Sequence, residues 1–297
     1  MYKIITDGSC DLDTNLVNKL DISVVPFYVS VDGITHQKEI VELNIREFYE
    51  FMVEHPKVFP KTSMPSIQDY LDVFTPLVEQ KIDIICICIT SKFSGSYNSA
   101  ANAKNMLLDE YPDAKIEVID ATVNTVLQGM LVEEAVAKKN TGATFEETID
   151  YINEIKATGR IFFTIGSMDY LVHGGRVGKL SGIAAGALGI KPLILLKEGE
   201  IFNNGITRGR KKAKQKIIMQ IISYFKDNRY CVNDYRFCIG FGYDYEEAKE
   251  FKEKLFTAIK EIDPTFVEDI PIRQIGATIG VHTGPYPLGV GIIKKID

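Results

Sequence analysis

The sequence predicts a two-domain α/β protein. A parallel sheet covered by helices on both faces would be followed by an α+β domain with a mixed or antiparallel sheet. Three observations lead there. Short β-branched runs alternate with helical stretches through the first half. One of those runs, Ile82-Asp-Ile-Ile-Cys-Ile-Cys-Ile-Thr90, is almost wholly apolar, as a strand buried on both faces must be. The second half contains strand pairs spaced like hairpins.

In order, Lys3 to Thr6 reads as a strand and Asp13 to Leu20 as a helix. Ile22 to Val31 reads as one extended run, and Asn44 to Glu54 as a helix with Asn44 as its cap. A helix over Ile67 to Gln80 leads into the buried strand. A helix from Gly95 to about Asp109, a strand over Lys115 to Asp120 and a helix from Val123 to about Lys139 complete the first half. Arg160 to Gly166 reads as a strand, and a boundary near Thr158 to Ser167 divides the chain into 1–162 and 163–297. Beyond it, Lys191 to Leu196 and Glu200 to Phe202 flank a turn at Glu198-Gly199. Arg210 to Phe225 and Tyr245 to Ile262 read as helices, and Arg236 to Tyr243, Glu268 to His282 and Gly289 to Ile293 as extended runs. With no low-complexity linker, the domains are expected to pack closely with a cleft between them.

The 297 residues, 45% hydrophobic and 25% charged, suit a soluble globular chain. A net charge of −6 argues against general nucleic-acid binding. Five cysteines without C-x-x-C spacing and four scattered histidines give no basis for a metal site. Cys86 and Cys88 alternate with isoleucines and are expected on one strand face as small buried hydrophobes. The first residues lack a signal-peptide core and no apolar run reaches membrane-spanning length, so a reduced, cytoplasmic protein is expected.

The chemistry-bearing segments are two hydroxyl-rich turns, Thr62-Ser63-Met-Pro-Ser66 and Thr90-Ser91-Lys-Phe-Ser94-Gly95-Ser96, and the distal Gly280-Val-His282-Thr283-Gly284-Pro. Hydroxyls, free backbone N–H groups and a helix dipole together can receive a small anion. The plainer reading of the first turn is a well-capped helix, with Ser66 and Asp69 resembling a capping box. The second follows a buried strand, where α/β sheets bind ligands. His282 lies among glycines at 276, 280, 284, 289 and 291, which suggests a close backbone approach. Arg176, after His173-Gly-Gly, offers a fork for carboxylate or phosphate, or equally a helix-end salt bridge. The run Arg208 to Lys216 is either a docking patch or a solvated helix face. Ile183 to Ile190 is small and apolar enough to line an alkyl slot. No Walker loop, dinucleotide fingerprint, nucleophile elbow or zincin motif occurs.

Taken in order, these segments resemble the DegV family almost end to end. The resemblance rests on Thr6-Asp7-Gly-Ser9-Cys-Asp11-Leu12, Thr62-Ser63-Met-Pro65-Ser66 and Phe93-Ser94-Gly95-Ser96-Tyr97-Asn-Ser99-Ala100. It continues through His173-Gly-Gly-Arg176, Gly189-Ile-Lys-Pro192, Thr207-Arg208-Gly-Arg210 and Ile279-Gly-Val-His282-Thr-Gly-Pro285. Gly8, Ser96 and Tyr286-Pro287 depart from the family pattern.

The resemblance implies a two-domain DegV-like fold holding a long-chain fatty acid between its domains. It also implies that Thr62, Ser94 and His282 match the positions that contact the carboxylate, and Ser63, Gly95, Ser96 and Thr283 flank them. It implies a non-enzymatic carrier subunit with no cofactor and no catalytic residue of its own, which presents the acid to a separate ATP-dependent fatty acid kinase for acyl phosphate formation. Arg176, Arg208 and Arg210 would then dock that kinase, and transient contact with a membrane surface fits the same role. Each buried methylene contributes about 0.8 kcal/mol, so roughly ten offer about 8 kcal/mol before ordering costs. Neutral donors at the head group would then suffice. The alternative is an acyl hydrolase or acyltransferase with Ser94 as nucleophile and His282 as base, although no third residue presents itself to orient the histidine.

Overall fold

A computed structural model describes residues 1–180 and 189–295. The chain runs β1 (Tyr2–Asp7), α1 (Thr14–Lys19), β2 (Ser23–Val25), β3 (Tyr28–Ser30), β4 (Gln37–Lys38), α2 (Ile45–Glu54) and β5 (Lys61–Ser63). It continues through α3 (Ile67–Glu79), β6 (Asp83–Cys88), α4 (Ser96–Glu110), β7 (Ile116–Asp120), α5 (Thr125–Asn140) and α6 (Phe145–Lys156). Then come β8 (Arg160–Thr164), α7 (Asp169–His173), β9 (Ile190–Lys197), β10 (Glu200–Arg208), α8 (Arg210–Asn228) and β11 (Tyr235–Phe241). Helix α9 (Tyr245–Ile262), β12 (Ile272–Gln274), α10 (Ala277–Thr283) and β13 (Leu288–Lys294) complete it.

The result is a two-domain α/β fold. One sheet has four parallel strands in the order β2-β1-β6-β7. A separate mixed sheet has six strands in the order β10-β9-β8-β13-β11-β12, of which only the β11–β12 pair is parallel. A third, antiparallel sheet, β4-β3-β5, was not anticipated from the sequence.

The two-residue period of β6 explains its apolar run. Ile84, Cys86 and Cys88 pack toward Tyr70 and Phe74 of α3, whereas Ile85 and Ile87 face the opposite way, toward Val126, Leu127 and Leu131 of α5. Helix α5 is buried around nearly its whole circumference because sheets flank it: its residues share one core with Ile4 of the parallel sheet and with Ile161, Ile194 and Ile293 of the mixed one. The outer face of the mixed sheet is covered by α8 and α9. Helix α8 buries Ala213, Ile217, Ile221 and Phe225, a stripe at four-residue spacing, and leaves Lys211, Lys212, Lys216 and Lys226 outside.

Several expectations need correction. The run Ile22 to Val31 is two strands in different sheets. Pro26 separates them, since a residue without an N–H cannot continue a ladder. The run Glu268 to His282 contains only the short β12, and the segment carrying His282 is helical. Gly276, Gly280 and Gly284 are spaced by four, and backbone bonds of 2.8 Å join Gly280 N to Gly276 O and Gly284 N to Gly280 O. A Cβ on Gly280 would lie 2.8 Å from the Tyr49 hydroxyl, so the glycine is there to let α10 approach α2. Thr62 and Ser63 belong to β5 rather than to a turn, and Pro65 precedes the Ser66 cap. Helix α6, absent from the expected elements, starts at a capping box formed by Thr144 and Glu147. A division at 162/163 cuts β8, every residue of which lies in the six-stranded sheet. Most of the apolar segment Ile183 to Ile190 lies outside the described residues.

Candidate functional site

A cavity of about 520 Å³ opens between the two large sheets, with α10 along one wall and the start of α5 in another. Most of its lining is apolar, including Phe27, Ile89, Phe93, Val126, Ile161, Leu196, Ile275 and Leu288. Polar groups include Thr62, Ser63, Ser94, Arg176, His282 and Thr283. Local structure delivers them from four places: the end of β5, the loop before α4, the loop after α7 and the last turn of α10.

Thr62 Oγ1 lies 3.3 Å from His282 Nε2, a hydrogen bond whose donor depends on the imidazole tautomer. Ser94 Oγ accepts the Ser96 N–H at 3.2 Å, which fixes its rotamer beside the start of α4. Gly95 sits where α4 needs a cap and brings none; a Cβ there would run 2.6 Å from the Met64 sulfur, so its bareness makes room for Met64 at the rim. Thr283 Oγ1 donates back to Ile279 O at 3.1 Å. Arg176 Nε donates to Phe93 O at 3.2 Å and its Nη1 to Gly174 O at 2.6 Å, placing the guanidinium at the cavity edge.

His282 is half-buried, and no group among the described residues bonds its Nδ1. Burial first, and Arg176 second, push its pKa down to about 4, so the ring is neutral at pH 7. The ring lies against Gly174, where a Cβ would come within 2.1 Å of Nδ1.

Ser96, expected in the site, is elsewhere. Its buried hydroxyl donates to Asp7 Oδ2 at 2.8 Å and lies 2.7 Å from the Tyr70 hydroxyl, in the interior between β1, α3 and α4. Arg208 is exposed on β10, away from the cavity lining. Arg210 is held by Glu247 of α9 through bonds of 2.7 to 3.1 Å, with Lys214 at 3.0 Å from the same carboxylate. Tyr286 turns outward, edge-on to Tyr243, while Pro287 joins the cavity wall.

Three buried acids near the site, Asp7, Asp11 and Glu39, are structural. Buried Asp7 accepts bonds from Ser9, Gln128, Ile89 N and Ser96, yet burial still raises its pKa. Asp11 accepts from Thr125 Oγ1 and from Gly276 N at 2.9 Å, and Glu39 accepts from Thr278 at its hydroxyl and its N–H. Desolvation pushes these two up to about 8 and about 7. Together they hold the beginning of the helix that ends in His282. Among the described residues there is no cluster of side chains suited to a metal ion, and no helix is long and apolar enough to cross a membrane.

The apolar wall escaped sequence reading because its residues come from eight or more separate segments with no shared motif. Asn124 also lines the cavity; the sequence pattern sets it inside a helix beginning at Val123, whereas α5 begins only at Thr125 and leaves Asn124 in the preceding loop.

Comparison with known proteins identifies the fold and the family. A family described as uncharacterised protein, DegV family, matches residues 1–295. The chain is 42% identical to a fatty acid (stearic acid)-binding protein from Eubacterium ventriosum, with a TM-score of 0.93 and 99% of each chain covered. A DegV family protein from Thermus thermophilus, described by its fatty acid binding, shares the fold at 24% identity, a TM-score of 0.84 and 99% coverage of each chain. Among curated proteins, a DegV domain-containing protein of Clostridium perfringens is 31% identical over 291 residues, 97% of this chain and 96% of its own. The chain belongs to the DegV family.

Proposed function

We propose that the protein binds a long-chain fatty acid in the inter-sheet cavity and presents its carboxylate to a separate ATP-dependent kinase, which makes the acyl phosphate. The observation that carries this is a largely apolar cavity of about 520 Å³ whose polar lining includes Thr62, Ser94 and a His282 bonded to Thr62. An alkyl chain gains burial in the apolar part, and a carboxylate at the corner would accept from two hydroxyls and an uncharged imidazole N–H. The stearic acid-binding relative supports the ligand class. Arg176 at the edge and the exposed cations Arg208, Lys211, Lys212 and Lys216 are the docking surface of this reading. It sets the protein in the cytoplasm, where the phosphoryl donor is available.

The hydrolase reading finds less support. His282 bonds Thr62 rather than Ser94, and no carboxylate stands behind its Nδ1 among the described residues. One experiment separates the two. Purified protein is extracted and its acyl content weighed by mass spectrometry, then the delipidated protein is offered fatty acid, acyl esters, and fatty acid with kinase and ATP. A carrier yields stoichiometric acid, no ester turnover, and acyl phosphate only with the kinase. Steady ester hydrolysis, or no uptake of acid at all, overturns the proposal.

A further inference from the structure

Three polar residues outside the head-group corner line the cavity, and two of them, Thr125 and Thr278, spend their hydroxyls on Asp11 and Glu39. Asn124 is only 8% exposed and lines the cavity, yet its carboxamide makes no hydrogen bond to any described residue. It stands at the cap position of α5 without capping it. An amide carries two donors and an acceptor, and here they are left accessible in the cavity for a ligand to bond.

Its position is firmly set. The residues on either side of the Val123-Asn124 pair, Thr122 and Thr125, both adopt positive φ, 53° and 50°. That is a strained choice for β-branched side chains, which persists only where surrounding structure enforces it. The enforcement is visible: Val123 O accepts the Thr90 N–H at 3.0 Å, and Thr125 Oγ1 donates to buried Asp11. The loop therefore cannot easily turn the amide away.

Asn124 bonds none of the carboxylate-corner side chains, Thr62, Ser94 or His282. Val126, two residues on, shares the wall beside Gly240 with Ile275, and a Cβ on Gly240 would touch both at 3.3 Å. Ile275 precedes α10, whereas His282 is in its last turn. Seven helical residues separate those ends by about 10 Å. A chain whose carboxylate sits at His282 would pass this wall partway along its length.

Resting on the fatty-acid reading of the cavity, we propose that the preferred ligand is an oxygenated acyl chain, bearing a hydroxyl or keto group partway along, and that Asn124 is the residue that recognises it. A saturated chain would leave the amide unmatched. A mid-chain oxygen would accept from it, and a hydroxyl would also donate to it. One such hydrogen bond in the cavity discriminates by about tenfold.

The test is a competition on the delipidated full-length protein, with a fluorescent fatty acid displaced by stearate, 10-hydroxystearate, 12-hydroxystearate or 10-oxostearate. At least one oxygenated acid is expected to compete about tenfold better than stearate. Asn124→Leu should reverse that order, and Asn124→Ala, which adds no bulk to the wall, should abolish it. Melting curves identify any variant that fails to fold, and the alanine variant then decides. Equal competition by all four acids against the unaltered protein overturns the assignment of Asn124 alone, as does a preference that survives in both variants. If no acid competes, stearate included, the fatty-acid reading falls and this inference with it.

Discussion

His282 joins the polar corner to the fold, and its titration is the most direct test at the residue scale. An unfolded histidine protonates near pH 6.5, whereas burial and Arg176 hold the folded ring neutral down to about 4. As pH falls between those values the unfolded chain takes up a proton that the native ring refuses, so this group lowers stability on acidification and is silent above pH 6.5. The ring resonances of lipid-free protein should stay flat until below pH 5, and bound fatty acid should raise the transition by bringing a carboxylate beside the ring. A transition near 6.5 without ligand contradicts the burial argument. Gly174 supplies a steric companion. Gly174→Ala should drive its Cβ into the His282 ring, cost about 1–3 kcal/mol of stability and weaken fatty acid retention, as read by melting and fluorescent titration.

Among the elements, the basic segment divides into two parts with different work. Arg210 and Glu247 are 22% and 14% exposed and tie α8 to α9. Arg210→Glu should destabilise the protein by about 3 kcal/mol, because it sets a second carboxylate against a partly buried one. Arg208→Glu, on an exposed strand end, should stay within about 0.5 kcal/mol of the parent. Urea midpoints check both. Comparable losses in the two variants would mean that the Arg210 pair contributes no more than a solvated charge. A docking experiment must therefore reverse Arg208 without touching Arg210.

For the whole molecule, the cavity lies between the two large sheets, so a bound acyl chain adds to the core that joins them. Fatty acid at a hundred times its Kd should stabilise the native state by about 2.7 kcal/mol. At about 2.1 cal/mol/K of unfolding entropy per residue, a chain of 297 residues gains about 4 °C in Tm. Calorimetry of delipidated protein with and without added acid measures it, and an unchanged Tm at saturation contradicts binding to the folded state.

What the residues determine by themselves is what depends on neighbours along the chain. The β6 run, the caps at Asn44 and Ser66 and the α8 stripe could be read because strand period, capping and helix period act over a few positions. Thr62, Ser94 and His282 were legible as chemistry, through the family resemblance and through hydroxyls placed beside helix starts. The tertiary structure decided the rest. It sent Ser96 to Asp7 and Tyr70, gave Arg210 to Glu247, and made a helix of the glycine-rich segment at His282. The first two outcomes turn on partners 26 to 89 residues away, and the helix at His282 is held by partners 239 and 265 residues away, which local pattern cannot name. The cavity is the extreme case: an apolar side chain reads the same whether it fills a core or lines a slot, and only packing between the sheets leaves the space.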